Sequence, residues 1–168
     1  NPKPASPVSD NIPPLLRDKV VPAADLITPN QFELGYLTER DVNDLDSTLA
    51  AVDAAREMGP STVLVTSVER PDAPEDVMEM IAVDDKGKWI VRTPRLPFKR
   101  NGSGDVTAAL FTGHYLRGGD AADALARTAS SVYDMLRLTH EADSQELKLV
   151  EAQDYYANPQ LQFNVEAL

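Results

Sequence analysis

Gly102-Ser103-Gly104-Asp105 is the run whose residue types and spacing could do chemistry. Two glycines bracket a serine and an aspartate follows at once. Apolar residues then recur at Val106, Ala109, Leu110, Gly113 and Leu116, the spacing of one buried helix face. A loop that opens a helix in this way offers unpaired N–H groups and the positive end of the helix dipole, where a phosphate could sit. Asp105 beside that phosphate would cost electrostatic energy if it only bound the anion. It therefore needs another role, and a general base that takes a proton from an attacking hydroxyl is one. The alternative is a plain helix start, with an acidic residue in the first turn and glycines serving a turn.

Two further groups fall just after strand-like runs. Leu26-Ile27-Thr28 reads as a brief buried strand ended by Pro29, and Asn30-Gln31-Phe32-Glu33 follows. Asn30 and Glu33 share a face. They either form a reciprocal helix cap or bring an amide and a carboxylate to a strand's carboxyl end, where oxygen ligands could hold magnesium or its waters. Thr62-Val63-Leu64-Val65 is a continuous apolar, β-branched run that predicts a strand buried on both faces of a parallel sheet. Its polar end, Thr66-Ser67, either satisfies local backbone or faces a phosphate at the sheet's carboxyl edge.

The remaining elements must position these groups. Residues 1–11, with three prolines, read as a loop, and 12–21 as a short helix stopped by Pro22. Asp44 or Asp46 caps a helix through Leu49, Val52, Ala55 and Met58 that Gly59 closes. Runs at 78–83 and 88–93 flank the turn Asp84-Asp85-Lys86-Gly87 and predict an antiparallel hairpin, with Trp89 as a packing residue. Pro94-Arg95-Leu96-Pro97 is an extended connector into the glycine run. Gly118-Gly119 stops the helix after Asp105, and Asp120 starts another that buries Ala121, Ala124, Leu125, Thr128, Val132 and Leu136. A last helix is expected near 144–156, burying Leu147 and Val150 and ended by Asn158-Pro159.

With 168 residues and 42% hydrophobic content, the chain can bury one real core. No apolar run approaches the ~20 residues that span a bilayer, so no membrane partner is expected, and the opening residues do not read as a secretory signal. The absence of cysteine excludes disulfides and thiolate metal sites and fits a cytoplasmic location. A net charge of −11 argues against a nucleic-acid partner. It does not argue against a nucleotide, because magnesium and backbone N–H groups can hold phosphate on an acidic protein. Two histidines, His114 and His140, give a zinc site little to work with.

In this order of elements and motifs the chain closely resembles a pyridoxal kinase of the ribokinase-like superfamily, along almost its whole length. Thr28-Pro29-Asn30-Gln31-Phe32-Glu33 is the most telling phrase, since G-x-G-D is shared across the superfamily. The resemblance implies an α/β, ribokinase-like fold, a mostly parallel sheet flanked by helices, read as one domain over 1–168 with its ATP-binding part at 26–157. It implies transfer of the γ-phosphoryl of ATP to the 5′-hydroxymethyl of pyridoxal. Asp105 would be the catalytic base beside the substrate, and Gly102, Ser103 and Gly104 the anion hole. Thr66, Ser67 and Asn30 would contact ATP, and Asn30 and Glu33 would help place Mg2+ through water. An adenine pocket is implied between the hairpin connector and the helices after the loop.

The resemblance also brings a monovalent cation as a candidate cofactor and a homodimer as the expected full-length enzyme. Pyridoxal kinases are longer, and the match is to their C-terminal portion, so the chain as given is expected to be inactive alone. Two alternatives stand beside this reading: an inactive nucleotide-binding fragment, and a related hydroxymethylpyrimidine or sugar kinase.

Overall fold

The computed structural model describes residues 12–97 and 101–168. The loop expected at 1–11, and Phe98-Lys99-Arg100 ahead of the glycine run, lie outside the described residues. The described chain opens with a short helix α1 (Ile12–Leu15), a wider turn at Leu16–Val20 and a tight 3-10 turn at Val21–Ala23. Pro22 therefore sits at the start of the 3-10 turn instead of stopping the helix, where its missing N–H costs nothing.

Strand β1 (Leu26–Ile27) leads into α2 (Gln31–Thr38), and α3 (Leu45–Glu57) into β2 (Thr62–Val68). Strands β3 (Val77–Asp84) and β4 (Gly87–Pro94) form the expected hairpin. Helices α4 (Ser103–Gly118) and α5 (Ala121–Glu141) follow, then a short α6 (Gln153–Ala157) and strand β5 (Val165–Ala167).

The caps explain the starts. Asp44, not Asp46, caps α3 by accepting from the Ser47 N–H, while the Ser47 hydroxyl accepts from the Asp44 N–H. Asp120 caps α5 by accepting from the N–H groups of Ala122 and Asp123. In the hairpin turn, the buried Asp84 carboxylate accepts from the N–H groups of Lys86 and Gly87 and, through Oδ2, from that of Ala121. One side chain thus fastens the turn to the start of α5.

The five strands lie in the order β1-β2-β3-β4-β5. The α/β architecture is as expected, but the strand sense is mixed: β1 and β2 are parallel, and every later pair is antiparallel. The physical reason is connection length. A parallel crossover needs a dozen or more residues, usually with a helix, whereas β3 and β4 are joined by a two-residue turn and β2 and β3 by a loop without a helix.

Alternate residues of the strands serve two cores. Val63, Val65, Ile81, Val83 and Ile90 pack with Leu34 of α2 and Ala51, Val52 and Ala55 of α3. Leu64, Met80, Ala82 and Val91 pack on the other face with Phe111 of α4 and Ala121, Ala124, Leu125 and Ala129 of α5. Trp89 packs against this second core, as expected.

Two further expectations need correction. On α4 the fully buried side chains are Thr107 and Phe111; of the expected stripe, Val106 and Leu110 are half-buried against Val132, Met135 and Ala152, while Ala109, Gly113 and Leu116 are exposed, Leu116 to 78%. Phe111 carries the larger apolar area and stacks with Tyr115, so it takes the sheet side. The helix expected at 144–156 is confined to Gln153–Ala157, and Val150 is exposed while Ala152 is buried. Ser144 bonds its own neighbourhood, the carbonyl of Glu146, and Lys148 N–H bonds Thr139 Oγ1, which replaces helical pairing there. Past Asn158-Pro159, where the sequence offered no element, Val165–Ala167 adds β5 to the edge of β4.

Candidate active site

Asn30 is where β1 gives way to α2. Its Oδ1 accepts from the Glu33 N–H at 2.8 Å, and the Glu33 carboxylate accepts from the Asn30 N–H at 2.9 Å. The capping-box reading of this pair is therefore the observed one. It leaves the pair beside the strand ends all the same. Asn30 bridges Thr66 in the parallel sense, and the Thr66 N–H donates to the carbonyl of Pro29.

Thr66 and Ser67 are held in an irregularity of β2. Val65 pairs with Ile81 and Val68 with Glu79, so these two residues stand opposite the single residue Met80. Ser67 takes a φ of 54°, in the left-handed region. This is a β-bulge, which bends the strand and re-aims its side chains. Its result is that Thr66 and Ser67 both line a cleft of about 720 Å3.

The other polar edge of that cleft is the start of α4, where Asn101, Ser103, Gly104 and Thr107 line it. Gly102 begins the helix at a φ of 87°, a conformation that favours glycine, and no side chain caps this end. Helices α2, α3 and α5 are each capped by a side chain. Gly104 has no such local reason: a Cβ built there would meet nothing within 4 Å. Its effect is to leave the backbone of the first helical turn open to the cleft. Apolar walls come from Met80 of β3 and from Val132 and Leu136 of α5, and the connector Pro94-Arg95-Leu96-Pro97 runs along one side.

Of the residues singled out in the sequence, the cleft brings together Thr66, Ser67, Ser103 and Gly104. Asn30 lines a shallower depression of about 730 Å3 that shares Ser67 and Glu69 with the cleft. Glu33, Gly102 and Asp105 line neither; Asp105 is exposed in the first turn of α4.

Sequence reasoning missed Glu69 and Arg95. Arg95 is the one cation among the described lining residues, with its Nη1 donating to Glu69 and its buried Nε lacking a hydrogen-bond partner among the described residues. A lone cation in the connector was the only signal available for it.

No group of three or more His, Asp or Glu side chains among the described residues could hold a metal ion. Magnesium does not need such a cage, since it commonly keeps its waters and binds through one or two carboxylates and the substrate's phosphates. The Glu33 carboxylate, whose cap uses Oε2, and the neighbouring Asn30 fit that donor set.

Residues 5–149 match the family model described as phosphomethylpyrimidine kinase. The chain is 66% identical over 161 residues to pyridoxal kinase PdxY of Corynebacterium diphtheriae, covering 96% of this chain and 57% of that protein. It is 68% identical over 158 residues to pyridoxal kinase PdxY of Leifsonia xyli, covering 94% and 56%. It spans just over half the length of these relatives. In the solved structures, it superposes on Plasmodium falciparum PdxK with ligands AMP-PNP and PL at a TM-score of 0.85 and 19% identity, covering 100% of this chain and 58% of the other.

Proposed function

This chain belongs to the phosphomethylpyrimidine kinase family, and on that premise we propose that the protein carrying it transfers the γ-phosphoryl of ATP to the 5′-hydroxymethyl of pyridoxal. The observation that carries the reading is the cleft itself. The bulged end of β2 and the uncapped start of α4 face one cavity, with Thr66 and Ser67 on one edge and Ser103 and Gly104 on the other. An open helix start and paired hydroxyls are the groups a polyphosphate needs. The apolar walls beyond them, Val132 and Leu136, together with the connector, suit an adenine ring.

In this reading the 5′-hydroxyl oxygen bonds to the γ-phosphorus while the bond from that phosphorus to the β–γ bridging oxygen breaks, and ADP leaves. Asp105 takes the hydroxyl proton. The backbone N–H groups of the Gly102–Gly104 turn face the phosphoryl oxygens as their charge redistributes. Magnesium, placed through water by Glu33 and Asn30, would supply neutralisation of the phosphates. The acidic carboxylate beside an anion site then has its explanation as a base.

The substrate is argued from the relatives. Those at 66% and 68% identity are pyridoxal kinases. The family description names a different acceptor, a phosphomethylpyrimidine, which presents a phosphate oxygen, and hydroxymethylpyrimidine, which presents the same hydroxymethyl as pyridoxal, is the alternative to test beside it. A coupled ADP-release assay on the full-length protein, with each acceptor in turn, decides between them.

The role of Asp105 is tested by Asp105→Asn in the full-length protein. Asparagine keeps the shape and cannot accept the proton at neutral pH, so kcat should fall by about 10²–10⁴-fold while MgATP affinity holds. Near-normal turnover would reduce Asp105 to a helix-start residue.

A further inference from the structure

Away from the cleft, one carboxylate is buried among charges. Glu79 is 1% exposed, on the α2/α3 face of the sheet, and lines neither the cleft nor the depression beside it. Arg70 grips it with two hydrogen bonds, Nε to Oε2 at 2.6 Å and Nη2 to Oε1 at 3.0 Å. Arg92, its cross-strand neighbour on β4, donates from Nε to Oε1 at 2.8 Å. Arg92 also reaches Glu166 of β5, and Arg70 reaches Asp72.

Such a cluster is a poor way to gain stability, because desolvating the charges offsets most of their attraction. What it fixes is geometry. Glu79 pairs with Val68, the residue at which β2 resumes its register after the bulge. Arg70 lies two residues further on. Between them, Glu69 donates its N–H to Gln31 Oε1 of α2 and accepts from Arg95 of the connector. The bulge is therefore anchored on its exit side by Glu79 through Arg70, and tied by Glu69 to α2 beside the depression and to the connector along the cleft.

Resting on the nucleotide-binding reading above, we propose that Glu79 is a positioning residue for that subsite: through Arg70 it holds the strained turn at Ser67, and with it Thr66 and Ser67, at the edge of the cleft. It touches no substrate. Its removal should loosen nucleotide binding selectively, since the start of α4 and Asp105 lie on elements the cluster does not contact.

The test uses the full-length protein. Glu79→Gln keeps the volume and removes the charge that both guanidiniums face. We expect KM for MgATP and the calorimetric Kd for MgADP to rise together by roughly tenfold, with kcat at saturating ATP and KM for the acceptor within about twofold of wild type. Arg70→Lys, which keeps the charge and loses the two-point grip, should shift nucleotide affinity in the same direction by less. It also serves if Glu79→Gln fails to fold. Unchanged nucleotide affinity in the folded variants, whatever their melting temperature, overturns the proposal, as does a parallel loss of kcat and of affinity for both substrates. If the wild-type protein binds neither MgADP nor MgATP, the nucleotide reading itself has failed and this inference falls with it.

Discussion

Gly104 is the residue at which folding and function separate most cleanly. Its helical backbone needs no glycine and a methyl group there would touch nothing. Alanine is the better helix former by up to about 1 kcal/mol, so Gly104→Ala should keep or raise the melting temperature. If the open backbone serves a phosphate, the same methyl group should weaken MgATP binding roughly tenfold, about 1.4 kcal/mol. Thermal denaturation and calorimetry on the same preparation measure both effects, and unchanged affinity would mean that no phosphate approaches this turn. Gly102 differs, because its φ of 87° makes any substitution a backbone problem first. Side-chain roles were legible in the sequence wherever they are local. Asn30 with Glu33, and Asp120, are read from spacing within one turn, whereas for α3 the spacing narrows the cap only to Asp44 or Asp46. Arg95 and Glu69 were not legible, because their pairing joins the ends of two strands that only the fold brings together.

At the scale of elements, the hairpin and the long helices follow from their turn and cap residues. The misread cases are those where two packings compete. Helix α4 has apolar residues on more than one face, and only contact with α5 and the sheet decides that Phe111 goes inward. Strand β5 is three residues long and owes its existence to the open edge of β4.

The charged cluster linking the loop after β2 to β3, β4 and β5 also has a pH signature. Burial pushes the Glu79 carboxyl up, but Arg70 and Arg92 more than offset it, so its pKa lies below the ordinary 4.5. A group with a depressed folded-state pKa stabilises the protein above its unfolded value, and that contribution is lost as pH falls through the folded value. The stability difference between wild type and Glu79→Gln should therefore be full at neutral pH and shrink progressively below about pH 4.5. Urea unfolding of both proteins from pH 7 to pH 3 measures it, and a difference that does not change with pH would mean the charge contributes nothing.

Among the described residues β1 is paired on one side only, and large apolar side chains such as Phe32 and Leu116 stand 82% and 78% exposed. The chain also spans just over half the length of its pyridoxal kinase relatives. The 168-residue chain by itself should therefore bind MgATP weakly, through the cleft it contains, and should not phosphorylate pyridoxal. Calorimetry and a coupled ADP assay test this, and appreciable turnover would show that these residues suffice to hold the acceptor.

The bulge in β2 carries a last consequence, which concerns parity. Val63, Val65 and Val68 all face the α2/α3 core, and Leu64 faces the other. Strict alternation would have sent Val68 to the wrong side. Remove Ser67 from the count and the in-out rhythm runs unbroken from Val63 through Thr66 to Val68. Ser67 is thus a supernumerary residue as far as the sheet is concerned, carried at a strained φ that costs of order 1–3 kcal/mol. A variant with Ser67 deleted should still unfold cooperatively with an unaltered circular dichroism spectrum, and should fail to bind MgATP. Collapse of the sheet would instead show that the extra residue belongs to the architecture.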